Sequence, residues 1–203
     1  MLLFCLLSVD AAAADRQWVF DVYLEDDPIG QQTFRISEEQ GEKRVLIEAS
    51  LDVKVLFFTV YSYRHRNEER WRDGCLTQIS STTDDNGDDF RLNGRVRGDA
   101  FVVETAEDTD QLSGCVRSFA YWNPDHLRAS KLLNSQTGEY EPVTFRLVGE
   151  DTVTVIGSPR QAKRYALESE TFRIDLWYSP DDEWLGLESK SKGGRTLRYV
   201  LAN

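Results

Sequence analysis

Residues able to do acid–base or metal chemistry are sparse in this chain. Only two histidines occur, His65 and His126, with Glu69 and Asp125 as the nearest candidate carboxylate partners. An imidazole beside a carboxylate can pass protons or help hold a metal. Two imidazoles fall short of the ligand sets zinc requires, and no His-Glu-x-x-His spacing supplies more. Asp84, Asn86 and Asp88 have the one-three-five spacing of a calcium loop. Position six of that loop is Asp89 where glycine is needed, and position twelve is Arg95 where glutamate is needed. Asn86-Gly87 between two strand-like runs is instead the strongest hairpin signal in the chain. Ser130-Lys131 carries no specificity, and a Gly-x-Ser-x-Gly elbow, a P-loop and a dinucleotide fingerprint are all missing. The sequence therefore predicts no catalytic residue, no metal and no cofactor.

The cysteines lead to the compartment. Met1-Leu2-Leu3-Phe4-Cys5-Leu6-Leu7 opens an apolar run, and Ala11 to Ala14 supply small residues before Asp15. That is the pattern of a secretory signal segment cut after Ala14, although no basic residue precedes the run. Too little sequence precedes Cys5 for a lipid-attachment signal. The expectation is a signal peptide over 1–14, a single β domain over 15–203, and a periplasmic location. Cys75 and Cys115 then remain, and in an oxidising compartment such a pair reads first as a disulfide. No other apolar stretch approaches the length of a membrane-spanning helix.

What the chain has in surplus is aromatic and apolar side chains. Phe57, Tyr61, Tyr63, Trp71, Tyr121, Trp122 and Trp177 are the candidate ligand-contacting residues, with Trp184 beside them in type. Two readings compete: they fill a curved β core, or some line a cavity for a lipid or other hydrophobic ligand.

The elements that must position them are strands. Positions 43–53 alternate, with Val45, Ile47, Ala49, Leu51 and Val53 on one face. The run Val53 to Tyr61 is the most apolar internal stretch and reads as a strand with both faces apolar. Beyond it Tyr61, Tyr63, His65, Asn67, Glu69 and Trp71 share the inward face, while Arg64, Arg66, Glu68 and Arg70 point to solvent. Turns are marked at Pro28 with Gly30, Gln40-Gly41, Asp73-Gly74, Asn86-Gly87, Gly98-Asp99, Gly157-Ser158-Pro159 and Gly193-Gly194. About a dozen strands joined this tightly must be antiparallel neighbours. A meander of that length twists and curls. The predicted fold is mainly β: a strongly curved antiparallel meander, a half-open barrel or β-roll. From Cys115 to Tyr140 the rhythm breaks, and this insert is expected to hold a short helix near 125–133, capped by Asn123 or Asp125, and to cover one opening of the roll.

The chain has 203 residues and a net charge of −11, or −10 once the −1 of Asp10 leaves with residues 1–14. An acidic surface disfavours nucleic acid and anionic membranes, but not a neutral or lipidic ligand. Tyr121-Trp122-Asn123-Pro124, then Leu132-Leu133-Asn134 with Gln136-Thr137-Gly138, and later Asp175-Leu176-Trp177-Tyr178 with Trp184, together resemble a family of secreted proteobacterial proteins of unknown function. Pro28-Ile29-Gly30 fits the same resemblance, which covers most of the chain after residue 14. It implies a curved antiparallel β-protein of the envelope, distantly similar in shape to periplasmic lipoprotein carriers, and it brings no catalytic residues. The leading expectation is an exported envelope protein that binds a lipid or hydrophobic ligand without catalysis. The alternative is a structural or protein-interaction module using an exposed strand edge, and an enzyme comes third.

Overall fold

In a computed structural model, residues 15–191 and 193–202 are described, and most of them are in strands. Eight strands come first: β1 (Arg16–Leu24), β2 (Asp27–Glu39), β3 (Glu42–Val55), β4 (Phe58–Arg72), β5 (Cys75–Asp85), β6 (Asp88–Arg97), β7 (Ala100–Glu104) and β8 (Thr109–Ser113). Within the insert lie a 3-10 turn (Pro124–Arg128) and two short strands, β9 (Lys131–Leu133) and β10 (Tyr140–Pro142). Five more follow: β11 (Thr144–Val155), β12 (Ser158–Glu168), β13 (Arg173–Tyr178), β14 (Trp184–Lys190) and β15 (Thr196–Leu201).

Thirteen of them form one antiparallel sheet in the order β11-β12-β13-β14-β15-β1-β2-β3-β4-β5-β6-β7-β8. The first strand meets the last in mid-sheet, with Phe20 opposite Leu201 and Leu24 opposite Leu197. Strands β8 and β11 lie at the two ends of that order, so the sheet does not close. Five register shifts, at Val22/Tyr23, Val53/Lys54, Arg70/Trp71, Leu147/Gly149 and Trp177/Tyr178, add local twist. The predicted curved, unclosed meander is therefore the observed fold.

Residue period decides the faces. In β4, His65, Asn67, Glu69 and Trp71 are buried while Arg64, Arg66, Glu68, Arg70 and Arg72 are exposed. The outer face carries an ionic ladder: Arg35 and Arg66 both hold Glu48, at 2.7 and 2.5 Å, and Arg64 grips Asp52 at 2.9 Å. Pairs this exposed add little stability, but they solvate the convex side. The inner face is the core, with Phe20, Phe34, Ile47, Ile79, Leu92, Leu167, Leu176, Tyr178 and Trp184 in one cluster.

Two expectations are corrected. Val53 to Tyr61 is not one strand with two apolar faces; it is the tip of the β3–β4 hairpin, turning at Leu56-Phe57. The insert holds no regular helix over 125–133. Asn123 caps a single 3-10 turn by accepting from the Asp125 backbone N–H, and Lys131 to Leu133 are extended against β10. Leu127, Leu132 and Leu133 lack a helical stripe, and the latter two are fully buried as strand residues.

The insert fills the concave face rather than lidding one opening. Trp122 packs edge-on against Trp71 of β4, with centroids 5.5 Å apart. Tyr121 lies 5.3 Å from Trp184 of β14, and its carbonyl accepts from the Tyr178 hydroxyl at 2.7 Å. His126 is fully buried against Phe145 of β11. The insert is also pinned electrostatically. The buried Glu69 carboxylate accepts from Asn67, from the Trp71 indole and from Ser118 of the insert, each at 2.8 Å. Burial nevertheless holds its pKa above the ordinary carboxyl value. The expected disulfide is present: Cys75 at the start of β5 bonds Cys115, with Cα atoms 5.1 Å apart. The Leu76 N–H donates to the Val116 carbonyl just beyond it.

Two predictions follow from this packing. Replacing Cys75 and Cys115 by serine opens a loop of 40 residues, which in the chain-entropy treatment removes about 4 kcal/mol. Thermal melts with and without the substitutions should differ by roughly 10 °C. Stability should also depend on pH through three buried groups. Burial lowers the pKa values of His65 and His126 from 6.5 to about 4, so the fold favours the neutral rings. Their contribution is complete above 6.5 and is lost as pH falls toward 4, on the order of 3 kcal/mol each. Glu69 acts oppositely: its pKa is raised above 4.5, so its contribution weakens as pH rises through that value. Each imidazole therefore lowers the Tm as pH falls from 6.5 to 4, and His126→Gln should make the Tm fall less steeply over that range than in the wild type, read from melts across pH.

Candidate functional site

At one end of the roll the insert stops short and the inner face is left open. The ends of β1 and β3 and the starts of β2, β4 and β15 converge there. They surround a cavity of about 550 Å³, a volume typical of small-molecule sites. Leu24, Ile29, Leu51 and Val53 form its apolar side and pack together as a small core separate from the main one. Ile29 is delivered by the Pro28-Ile29-Gly30 stretch. Gly30 is required there because a Cβ would collide with the Ser50 carbonyl oxygen across β3. Tyr199 and Leu197 enter from β15, brought alongside by the β1–β15 pairing.

The other side of the cavity is aromatic and polar. The Tyr61 hydroxyl donates to Asp85 Oδ1 at 2.6 Å. The other oxygen of Asp85 accepts from Gln136 Nε2 at 3.1 Å, and the Gln136 carbonyl oxygen accepts from the Tyr63 hydroxyl at 3.1 Å. This chain of hydrogen bonds ties β4 and β5 to the insert at the cavity wall. Burial, then the carboxylate of Asp85, pushes the Tyr61 pKa well above its ordinary value, so it remains a donor. Burial likewise raises Tyr63, and it pushes Tyr199 up to about 12. His65 stacks on Tyr63, with its Nδ1 2.8 Å from the Thr83 hydroxyl and its Nε2 3.4 Å from Ser135. With its pKa near 4, its ring is neutral at pH 7. The pairing of His65 with Glu69 does not form, since Glu69 is engaged by Asn67, Trp71 and Ser118. What this arrangement does chemically is present an apolar slot with hydroxyl, carboxylate and neutral imidazole groups along one wall.

Of the aromatics singled out from sequence, Tyr61 and Tyr63 line the cavity. Phe57 does not line it and is 95% exposed at the hairpin turn. The other four lie elsewhere. Trp71, Tyr121 and Trp122 fill the main core. Trp177 lies 5.4 Å under the Arg164 guanidinium, and its indole N–H donates to Asp151 at 3.0 Å. Sequence reasoning missed Leu24, Ile29, Leu197 and Tyr199. Leu197 and Tyr199 alternate as strand residues, but only a pairing between opposite ends of the chain brings them to β1. The acidic turn at Asp84–Asp89 is a hairpin turn, with Asn86 and Gly87 both at positive φ and Asp84 accepting from the Gly87 N–H at 2.7 Å. Of the other hollows, one is lined by the ionic ladder, including Arg35, Glu48, Arg64 and Arg66, and one of about 600 Å³ by Trp177 with Leu185 and Leu187.

Comparison with known proteins agrees with this architecture. No curated protein matches the sequence. The fold is similar to the crystal structure of a beta-barrel-like protein of domain of unknown function DUF1849 from Brucella abortus. The two are 12% identical, the match covers 94% of this chain and 96% of that one, and the TM-score is 0.65. At that identity the likeness speaks for the fold alone. The profile of one family, described as domain of unknown function (DUF6134), matches residues 20–202, and the chain belongs to that family.

Proposed function

We propose that this is an exported, periplasmic protein that binds a lipid or other hydrophobic ligand without transforming it. The observation that carries the reading is the cavity between β1, β2, β3, β4 and β15. It joins an apolar wall of Leu24, Ile29, Leu51 and Val53 to a short polar wall of Tyr61, Tyr63 and Asp85. Such a division suits an amphiphile, whose chain takes the apolar side and whose head meets hydroxyl and carboxylate. The Cys75–Cys115 bond supports export, because disulfides persist in oxidising compartments. The signal segment expected over 1–14 lies outside the described residues. The four aromatics placed away from the cavity take no part in this reading.

The test uses cis-parinaric acid, a fluorescent fatty acid, titrated into the purified protein, together with mass spectrometry of organic extracts from protein isolated from its native host. Saturable fluorescence and a co-purifying lipid are expected. Val53→Arg places a charge on the half-buried cavity wall, and it should abolish the fluorescence change while leaving Tm within a few degrees of wild type. No saturable binding together with an empty extract sinks the proposal. Fractionation of the host cell tests the location separately, and a cytoplasmic protein with reduced cysteines overturns it. A strand-edge interaction module is the second reading, favoured by one observation: β8 and β11 each lack a neighbour on one side. Cross-linking in the envelope that traps a partner on β8 or β11, with no lipid recovered, would select it.

A further inference from the structure

The β3–β4 hairpin carries a run of apolar side chains out past the strands beside it. Strand β2 stops pairing with β3 at Leu51, and β5 stops pairing with β4 at Tyr63. Past those residues, and past the bonds of Ser62 to Asn86 and of Tyr61 to Asp85, the hairpin pairs with itself down to Val55 opposite Phe58. It therefore projects beyond both neighbours. Its projecting part exposes Val55, Leu56, Phe57, Phe58 and Val60 at 56, 85, 95, 72 and 53%. Large apolar side chains this exposed and this contiguous are unusual on a folded surface and mark contact sites.

The turn residues sharpen the point. Gln40-Gly41, Asp73-Gly74, Asn86-Gly87 and Ile156-Gly157 all end their two-residue turns with glycine. Leu56-Phe57 does not, nor does the polar Glu25-Asp26, and Leu56, like Ile156, takes a positive φ, here +57°, that a bulky side chain adopts at a cost. With positive φ at the first turn position alone, folding by itself favours glycine there. The apolar pair is thus retained against local backbone preference, and it sits on the hairpin whose Val53 and Tyr61 line the cavity.

We propose that this tip inserts into the surface of a zwitterionic phospholipid bilayer and holds the cavity mouth against it, as the portal for ligand entry. The inference rests on the lipid-binding reading for the purpose of the docking, though not for the docking itself. Shape favours a bilayer: a narrow convex tip needs from a protein partner a matching deep socket, and from a bilayer only depth. Charge selects the bilayer type. The turns on either side carry exposed Asp27, Asp88 and Asp89, while Asp26 is paired with Arg198, Lys54 adds one cation on the projecting strands, and the chain as a whole carries −11. Those carboxylates repel an anionic surface and tolerate one that presents ammonium groups outward. Tyr61 and Tyr63, at the base of the tip, are amphipathic rings suited to the headgroup level.

The experiment is flotation of the purified protein with phosphatidylcholine vesicles, and separately with vesicles containing phosphatidylglycerol. The wild type should float with phosphatidylcholine. The double substitution Leu56→Gly with Phe57→Ser suits a turn whose first position alone has positive φ, and it removes the two most exposed apolar side chains, so the protein should fold at least as stably. Its vesicle partition should fall by about a hundredfold, while its binding of parinaric acid from water is unchanged. Three results overturn the proposal: a wild type that stays down with phosphatidylcholine, a variant that floats as well as wild type, or flotation that requires phosphatidylglycerol. Flotation that depends on Leu56 and Phe57 in a protein that binds no parinaric acid supports the docking and refutes the cavity reading, so the two are separable.

Discussion

The constraint on which this structure depends is an open sheet with an apolar inner face. Thirteen antiparallel strands curl, yet β8 and β11 remain its two ends instead of pairing to close a barrel. A closed barrel fills its own interior with its strands' side chains. Here the chain between those two ends supplies the filling. The insert carries Trp122 to Trp71 on one side and Tyr121 to Trp184 on the other. Glu69 fixes the depth of that docking, because a buried carboxylate must be satisfied, and Ser118 provides one of its three donors. The Cys75–Cys115 bond tethers the insert where it leaves the sheet.

The cavity follows from where the filling stops. Toward the β3–β4 tip the insert contributes only Gln136 and Ser135, both polar, to the surroundings of Tyr63 and His65. The inner-face residues beyond, Leu24, Ile29, Leu51 and Val53, pack mainly with one another and leave space between them. The apolar demand met in the core by aromatic side chains is left partly unmet at this end. The β3–β4 hairpin extends the same apolar character into solvent.

Much of this was legible in the sequence, for identifiable reasons. The two-residue period in β4 separated its charged and inward faces correctly, because one side of that strand is solvated and the other is not. Turns ending in glycine fixed most strand boundaries, and the antiparallel topology followed from their shortness. The Leu56-Phe57 turn was invisible because it lacks the residues that turns prefer. Leu132 and Leu133 suggested a helix because adjacent apolar residues in a buried strand have no solvent face to impose alternation. The aromatics were legible as a group but not one by one: Trp71 and Tyr63 share a strand and a face, and only the extent of the insert puts one in the core and the other at the cavity. Leu197 and Tyr199 could not be assigned to the site, since nothing local reports that β15 lies against β1.

That seam between β1 and β15 also governs the order of assembly. Trp18, Phe20, Val22 and Leu24 are among the earliest apolar residues of the domain, yet one flank of their strand receives its partner only when the chain from Thr196 to Leu201 exists. A meander of hairpins can form locally and early, but the central join of this sheet is its least local contact and must come last. The nascent protein therefore holds an unsealed strand in the middle of its future sheet until the segment Thr196–Leu201 has been made. A chain built this way stays unfolded, and open to capture by chaperones, for longer than a sheet of the same size whose ends lie at its edges.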